Sequence, residues 1–245
     1  MDFTFGIITN GNNDESINKI INSIENNKIP VYEIIIIGNT KICSSEKVKI
    51  FYFDEKNKEG WITRKKNIIS KNAQYENIVF LHDYIELNND WYEGFLNFGN
   101  NFDFCINRII NVNGNRYRDY LLFPYKVDYL NINYSPVDIN SYFGENCLLP
   151  YDFVNNIKTN KYMYISGAYY VIKKNIAKLF LLDENLVWGR GEDVEFSKRL
   201  HNNGIIIQCN KFSSVKLLKY KESIHWEKEI NPQMIKVLLD YCNKK

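Results

Sequence analysis

The chain has few of the features that assign a class at once, and each absence narrows the field. Its five cysteines (43, 105, 147, 209 and 242) form no Cys-x-x-Cys pair. That pattern points to reduced thiols, not to a zinc site or a disulfide frame. No segment approaches the ~20 apolar residues that span a bilayer. The start, Met1-Asp2-Phe3-Thr4, lacks the basic residues and long apolar stretch of a signal peptide, so a cytoplasmic protein is expected. Charge of neither sign dominates: the net value is +2 over 245 residues, which gives no reason to expect a nucleic-acid partner. There is no Gly-x-Gly-x-x-Gly after the first predicted strand and no Gly-x-x-x-x-Gly-Lys, which argues against a Rossmann dinucleotide site and a P-loop NTPase. The absence of Gly-x-Ser-x-Gly argues against an α/β-hydrolase. With only 5 prolines and no linker composition, nothing divides the chain, and a single domain over 1–245 is expected.

What is present is an alternation of strands and helices. Residues 3–9 read as a buried strand that runs into Asn10-Gly11-Asn12-Asn13. Asp14 then opens a helix with Ile17, Ile20, Ile21 and Ile24 on one face. The apolar run 33–37, closed by Gly38-Asn39, fits a central parallel strand. Strands are predicted at 48–53 and 77–81, with a basic helix over 60–71 between them. Such alternation implies a mainly parallel sheet covered on both faces, with ligands at the carboxyl ends of its strands.

Beyond residue 100 the character changes. Asn113-Gly114-Asn115 predicts a hairpin turn between strands 102–112 and 116–123. Residues 124–160 are rich in Tyr and Asn with little periodicity, a long loop region of the kind that often carries function. Strand pattern returns over 161–173 and 205–208. Helices are expected at 175–182, 192–203 and, opened by a proline, 232–241. Residues 211–245 carry eight lysines against four acids, either a solvated face or a surface for anionic membranes.

Four stretches could carry chemistry. In Trp188-Gly189-Arg190-Gly191-Glu192-Asp193-Val194-Glu195 two glycines permit close approach and the Trp offers a flat wall. Glu192 and Asp193 fall in the first turn of a helix, where its dipole favours ionised carboxylates that can take a proton from a sugar hydroxyl. The fourth strand runs into His82-Asp83-Tyr84, where an acid at a strand end can hold a divalent cation against a diphosphate. Arg64-Lys65-Lys66-Asn67 puts three cations near a strand terminus, able to neutralise a phosphate or simply to form a solvated face. His225 follows the last strand-like segment and could complete a metal site begun by Asp83.

Taken in order, these pieces resemble the family-2-type glycosyltransferases of the GT-A fold. The residues that carry the resemblance are Phe5 to Asn10, Ile34 to Asn39, Lys66-Asn67-Ile68-Ile69 with Ala73, Phe80 to Asp83, and Trp188 to Asp193. It spans about residues 3 to 226, and 101–160 contributes nothing to it. The resemblance implies an α/β GT-A-type fold in one Rossmann-like domain. Residues 1–100 would form the nucleotide-sugar half and 101–245 the acceptor half, which takes a carbohydrate or glycoconjugate. Thr9, Asn10, Asn39, Lys66, Asn67, His82 and Asp83 would then line the nucleotide-diphospho-sugar donor. Asp83 and His225 would bind Mn²⁺ or Mg²⁺. Asp193 would be the base of an inverting transfer, Glu192 would also contact acceptor hydroxyls, and Trp188 and Gly191 would face the acceptor.

One departure from the family pattern stands out, since His82-Asp83-Tyr84 has a single acid where many relatives have two or three. Two other readings stay open at this point. A sugar nucleotidyltransferase would want a basic glycine-rich loop after the first strand, and Asn10-Gly11-Asn12-Asn13 has no Arg or Lys. A catalytically silent GT-A-like domain that binds nucleotide or glycan is favoured by Tyr84 and opposed by the complete 188–195 stretch.

Overall fold

A computed structural model describes residues 1–56, 58–123, 137–138, 151–155, 160–222, 229–230, 236 and 240. Its frame follows from strict alternation in the central strands. In β1 (Asp2–Ile8), β2 (Val31–Ile37) and β4 (Asn77–His82) successive side chains point to opposite faces, and both faces are mainly apolar. Phe3, Phe5, Ile7, Ile34, Ile36, Val79 and Leu81 join one core, which α1 (Asp14–Asn26) and α3 (Trp91–Phe98) cover with Ile17, Ile20, Ile24, Trp91 and Phe95. Ile8, Ile35, Ile37, Ile78 and Phe80 join the other. There α2 (Ile62–Asn72) contributes Ile62 and Ile69. Each fully buried isoleucine contributes ~1.5–3 kcal/mol, so a central strand with two apolar faces holds its place more firmly than one with a wet face.

One sheet of eight strands runs in the order β3 (Val48–Phe51), β2, β1, β4, β10 (Tyr169–Lys173), β6 (Phe104–Ile110), β11 (Ile207–Leu217), β5 (Ile85–Leu87). Its first four strands are parallel. β10 is antiparallel to both neighbours, β11 is parallel to β6, and β5 is antiparallel to β11. The mainly parallel α/β sheet expected from the sequence, with helices on both faces, is therefore present. Strands from both halves of the chain share it. No helix among the described residues is long and apolar enough to cross a membrane.

Several expectations are corrected. The pattern over 161–173 is two strands, β9 (Met163–Ile165) and β10, broken at Ser166-Gly167-Ala168. The 113–115 turn forms, with Asn111 N bonded to Asn115 O at 2.7 Å. However, β7 (Tyr120–Leu122) pairs with β9 and not with β6. The strand predicted at 205–208 extends to Leu217, past a bulge between Asn210 and Ser214. That bulge hid it, because buried Asn210 and Ser213 satisfy one another at 2.8 Å inside a segment that looks polar. In the Tyr-rich region 124–160, Tyr151 packs half-buried against the core, and its hydroxyl donates to Asp119 Oδ2 at 2.7 Å. Most of 124–160, most of the 232–241 helix, and His225 lie outside the described residues.

Candidate functional site

A cleft of about 570 Å³ opens at the carboxyl ends of β1 and β4. Asp83 sits at its base, 7% exposed. Its backbone N–H continues the sheet by donating to Ile8 O at 3.2 Å. Its Oδ2 accepts from Thr9 Oγ1 at 2.6 Å and from Asn13 Nδ2 at 2.7 Å. The polar loop after β1 thus folds back onto the acid at the end of β4. Asn10 lines the same space, and Asn39 packs beside Gly11 of that loop.

Cations surround this single carboxylate. Lys65 is buried, donates to Thr9 O at 2.6 Å and pairs with Glu55. Lys219 and Lys221 come from the segment after β11 and both lie over the Tyr84 ring, at 4.9 and 3.6 Å from its centroid. Buried Asn111 fixes the Lys221 backbone, donating to its carbonyl at 2.5 Å and accepting its N–H at 3.3 Å. Burial, then the Lys219 and Arg118 charges, push the Lys221 ammonium down to about 8, while Asp83 opposes the shift. His82 is buried, and its Nε2 has no hydrogen-bond partner among the described residues. Burial first, and then Lys66, Lys221, Lys65 and Lys219, hold that imidazole well below its usual range, so it is neutral.

A second charged group adjoins the first. His82 N donates to Ala168 O at 3.1 Å, and the neighbouring Gly167 packs on the acids that open α6 (Glu192–Asn202). The Gly167 N–H donates to Asp193 Oδ2 at 3.0 Å, while Asp193 Oδ1 accepts from Val194 N at 2.9 Å. A Cβ on residue 167 would lie 2.9 Å from Glu192 Oε1 and 3.2 Å from Asp193 Oδ2, so only glycine leaves both carboxylates where they are. Gly191 precedes the helix in the left-handed region at φ 73°, which turns the chain into it. Lys66, 1% exposed, donates to Gly167 O at 2.6 Å and feels the charge of both acids.

The helix dipole predicts two ionised carboxylates here, and burial outweighs it. Glu192, 6% exposed, is pushed up to about 7 by desolvation and by Asp193. Burial also raises Asp193, against its bond from Gly167 and the charge of Lys66. A pair poised in this range can hold or release one proton near neutrality.

The third part is a loop fastened to α2. Trp188 N donates to Gly60 O at 2.9 Å, and Thr63 Oγ1 donates to Leu186 O at 2.8 Å. Trp61 Nε1 donates to Glu184 O at 2.8 Å, and Arg64 pairs with the Glu184 carboxylate at 2.6 Å. Asn67 Nδ2 donates to Leu182 O and Glu184 Oε1, and its Oδ1 accepts from Leu182 N at 2.8 Å. At the end of this rail Trp188 stands 68% exposed on the cleft wall beside Arg190.

The structure thus brings Thr9, Asn10, His82, Asp83 and Trp188 to one cleft, and Glu192, Asp193 and Gly191 to its neighbour. It moves two residues from their expected places. Lys66 lies beneath the acid pair, and Asn67 is fully engaged by the 182–184 segment, so neither lines the cleft. The reason is shared: α2 is wedged between sheet and loop, so Thr63, Lys65, Lys66, Asn67 and Ser70 are buried on what reads as a solvated basic face. Sequence reading missed Asn13, Gly167, Lys219 and Lys221. Only Lys-x-Lys directly after a strand was there to flag the last two.

The described donors at Asp83 do not by themselves suit a divalent cation, and His225, the second ligand expected, lies outside the described residues. Among the described residues no three His, Cys, Asp or Glu side chains converge. The one carboxylate already accepts two hydrogen bonds at Oδ2, from Thr9 and Asn13. The ammonium groups of Lys219 and Lys221 share its space and would repel a dication.

This chain is similar to known proteins in structure and not in sequence. No protein-family model matches it, and no curated protein matches it in sequence. Solved structures do. The crystal structure of GalNAc-T7 with UDP, GalNAc and Mn²⁺ superposes with a TM-score of 0.60 at 15% identity, over 94% of this chain and 44% of that one. The fold is GT-A-like. S. aureus TarS 1–349 matches with a TM-score of 0.56 at 16% identity, over 89% of this chain and 60% of that one. The same TarS segment in complex with UDP-GlcNAc matches at 0.55 and 17% identity, over 92% and 60%. This chain therefore spans about half the length of the GT-A-like structures it matches.

Proposed function

We propose that this chain is a glycosyltransferase that moves a sugar from a nucleotide-diphospho-sugar to a hydroxyl of a carbohydrate or glycoconjugate, with inversion. The observation that supports it best is the buried Glu192–Asp193 pair set directly beside a cation-lined cleft on a GT-A-like sheet. The cleft opens where ligands of such sheets belong. The matched structures that hold UDP and UDP-GlcNAc favour a uridine donor.

Each partner of the acid pair has a distinct task. Burial, and then the charge of Asp193, push Glu192 up to about 7, so the pair holds a proton below that pH and Asp193 acts as the base once it is lost. Asp193 takes the acceptor hydroxyl proton as that oxygen attacks the anomeric carbon from the face opposite the nucleotide. The bond from the anomeric carbon to the diphosphate oxygen breaks, and the nucleoside diphosphate leaves with its electron pair. Fixed positive charge around Asp83 stabilises the oxyanion as it forms, which is where such charge contributes most. Glu192 holds an acceptor hydroxyl, and the exposed Trp188 ring stacks on the acceptor's apolar face.

Nucleotide release from UDP-, GDP-, CMP- and dTDP-sugars, with and without a mixed panel of acceptors, tests the reading. Turnover of one donor, raised by acceptor, is expected. Tight nucleotide binding with no turnover on any acceptor would transfer the assignment to a silent nucleotide- or glycan-binding domain.

A further inference from the structure

The single acid at Asp83 and the lysines around it have a consequence for how the donor is held. A diphosphate entering the cleft needs about two positive charges to offset it. Lys219 and Lys221 both line that cleft, close enough to Asp83 for Lys221 to feel its charge, and neither has an ion-pair partner among the described contacts. They do not hang loose. Both ammonium groups lie over the Tyr84 ring, and Asn111 grips the Lys221 backbone at both its N–H and its carbonyl. Beside them the His82 imidazole, 8% exposed, lines the same space, with Nε2 unpartnered among the described residues. A buried polar atom without a partner is costly, and a ligand oxygen would relieve it. Asp83, with Thr9 and Asn13 bonded to its Oδ2, orients the loop that forms the opposite wall.

We propose that Lys219 and Lys221, with a hydrogen bond from His82 Nε2, bind the diphosphate of the donor directly and take the place of a divalent cation. In that arrangement Asp83 is a positioning residue for the 9–13 loop and a counter-charge for the lysines when the cleft is open. The inference rests on the donor reading above. It goes beyond it in making donor binding independent of Mn²⁺ and Mg²⁺.

The test is calorimetric titration of the full chain with UDP, GDP and dTDP, each in excess EDTA and again in Mn²⁺. One nucleotide should bind in EDTA, with less than about threefold gain from Mn²⁺. Lys221→Ala and Lys219→Ala should each weaken it ~tenfold, the loss of one charge-assisted contact. Lys221→Arg should restore most of that loss, and thermal melting of all three variants should match the parent, which separates lost contact from lost fold. Binding that appears only with Mn²⁺, or lysine variants that bind like the parent, would overturn the lysine clamp and leave the glycosyltransferase reading intact. Failure of all three nucleotides under both conditions would overturn both.

Discussion

The two charged groups in this molecule are built from the same side-chain types in opposite arrangements. At Asp83 one carboxylate stands among lysines in an open cleft. At α6 one lysine, Lys66, lies beneath two carboxylates, out of water. In the first group Asp83 is buried, but Lys219 is exposed and Lys221 half-buried, so their ammonium groups can exchange water for a ligand. The second is dry enough for burial to override the helix dipole and bring Glu192 to about 7. Composition alone would give the two the same role; burial assigns binding to one and proton transfer to the other.

Substitutions can break this division. Asp193→Asn removes the base and keeps the bond from Gly167, so turnover should fall ~10²- to 10⁴-fold while nucleotide affinity stays within about twofold. Parallel turnover and calorimetry check this. If affinity fell with turnover, as proposed for Lys221→Ala, the two groups would not be separate. A smaller effect sharpens the same point. The rate should climb with pH and level off above about 7, because the pair must lose its proton to act. Replacing Lys66 with Met, of similar size and no charge, should move that midpoint upward by about one unit, since Lys66 lowers both acids.

Stability supplies a third contrast. The folded-state value of Glu192 is raised from 4.5 to about 7, so the folded chain binds the proton more tightly than the unfolded chain. That contribution is present below about pH 4.5 and fades as pH rises to about 7. Glu192→Gln, which cannot ionise, should therefore stabilise the protein at pH 8 by on the order of 2 kcal/mol and leave it unchanged at pH 4. Denaturant midpoints at the two pH values measure it. The smallest effect is expected at Asn67→Ala, which frees the 182–184 segment and should cost about 1–2 kcal/mol. Its nucleotide affinity in calorimetry should be unaltered.

Much of the frame was legible in the sequence because it depends on local pattern. The runs at Phe3–Ile8 and Ile34–Ile37, the stripe of Ile17, Ile20 and Ile24, and the Gly191-Glu192-Asp193 helix start each declare themselves within a dozen residues. The site was legible where a residue closes a strand or opens a helix, as with Asp83 and Asp193. It was not legible where long-range packing decides. Nothing local says that Lys65 and Lys66 point inward, since an Arg-Lys-Lys run looks solvated until a loop some 120 residues away covers it. Gly167 was hidden for the same reason: its small size matters only because two acids from a distant helix press on it.

The fastening of the 182–188 segment to α2 bears on binding entropy. Trp188 is exposed, yet its own backbone N–H is bonded to Gly60, and the residues before it are bonded to Trp61, Thr63, Arg64 and Asn67. A sugar arriving at that ring finds a wall already in position, and no loop has to be ordered first. Association there should carry the heat-capacity change of apolar contact without the large entropy loss of coupled folding.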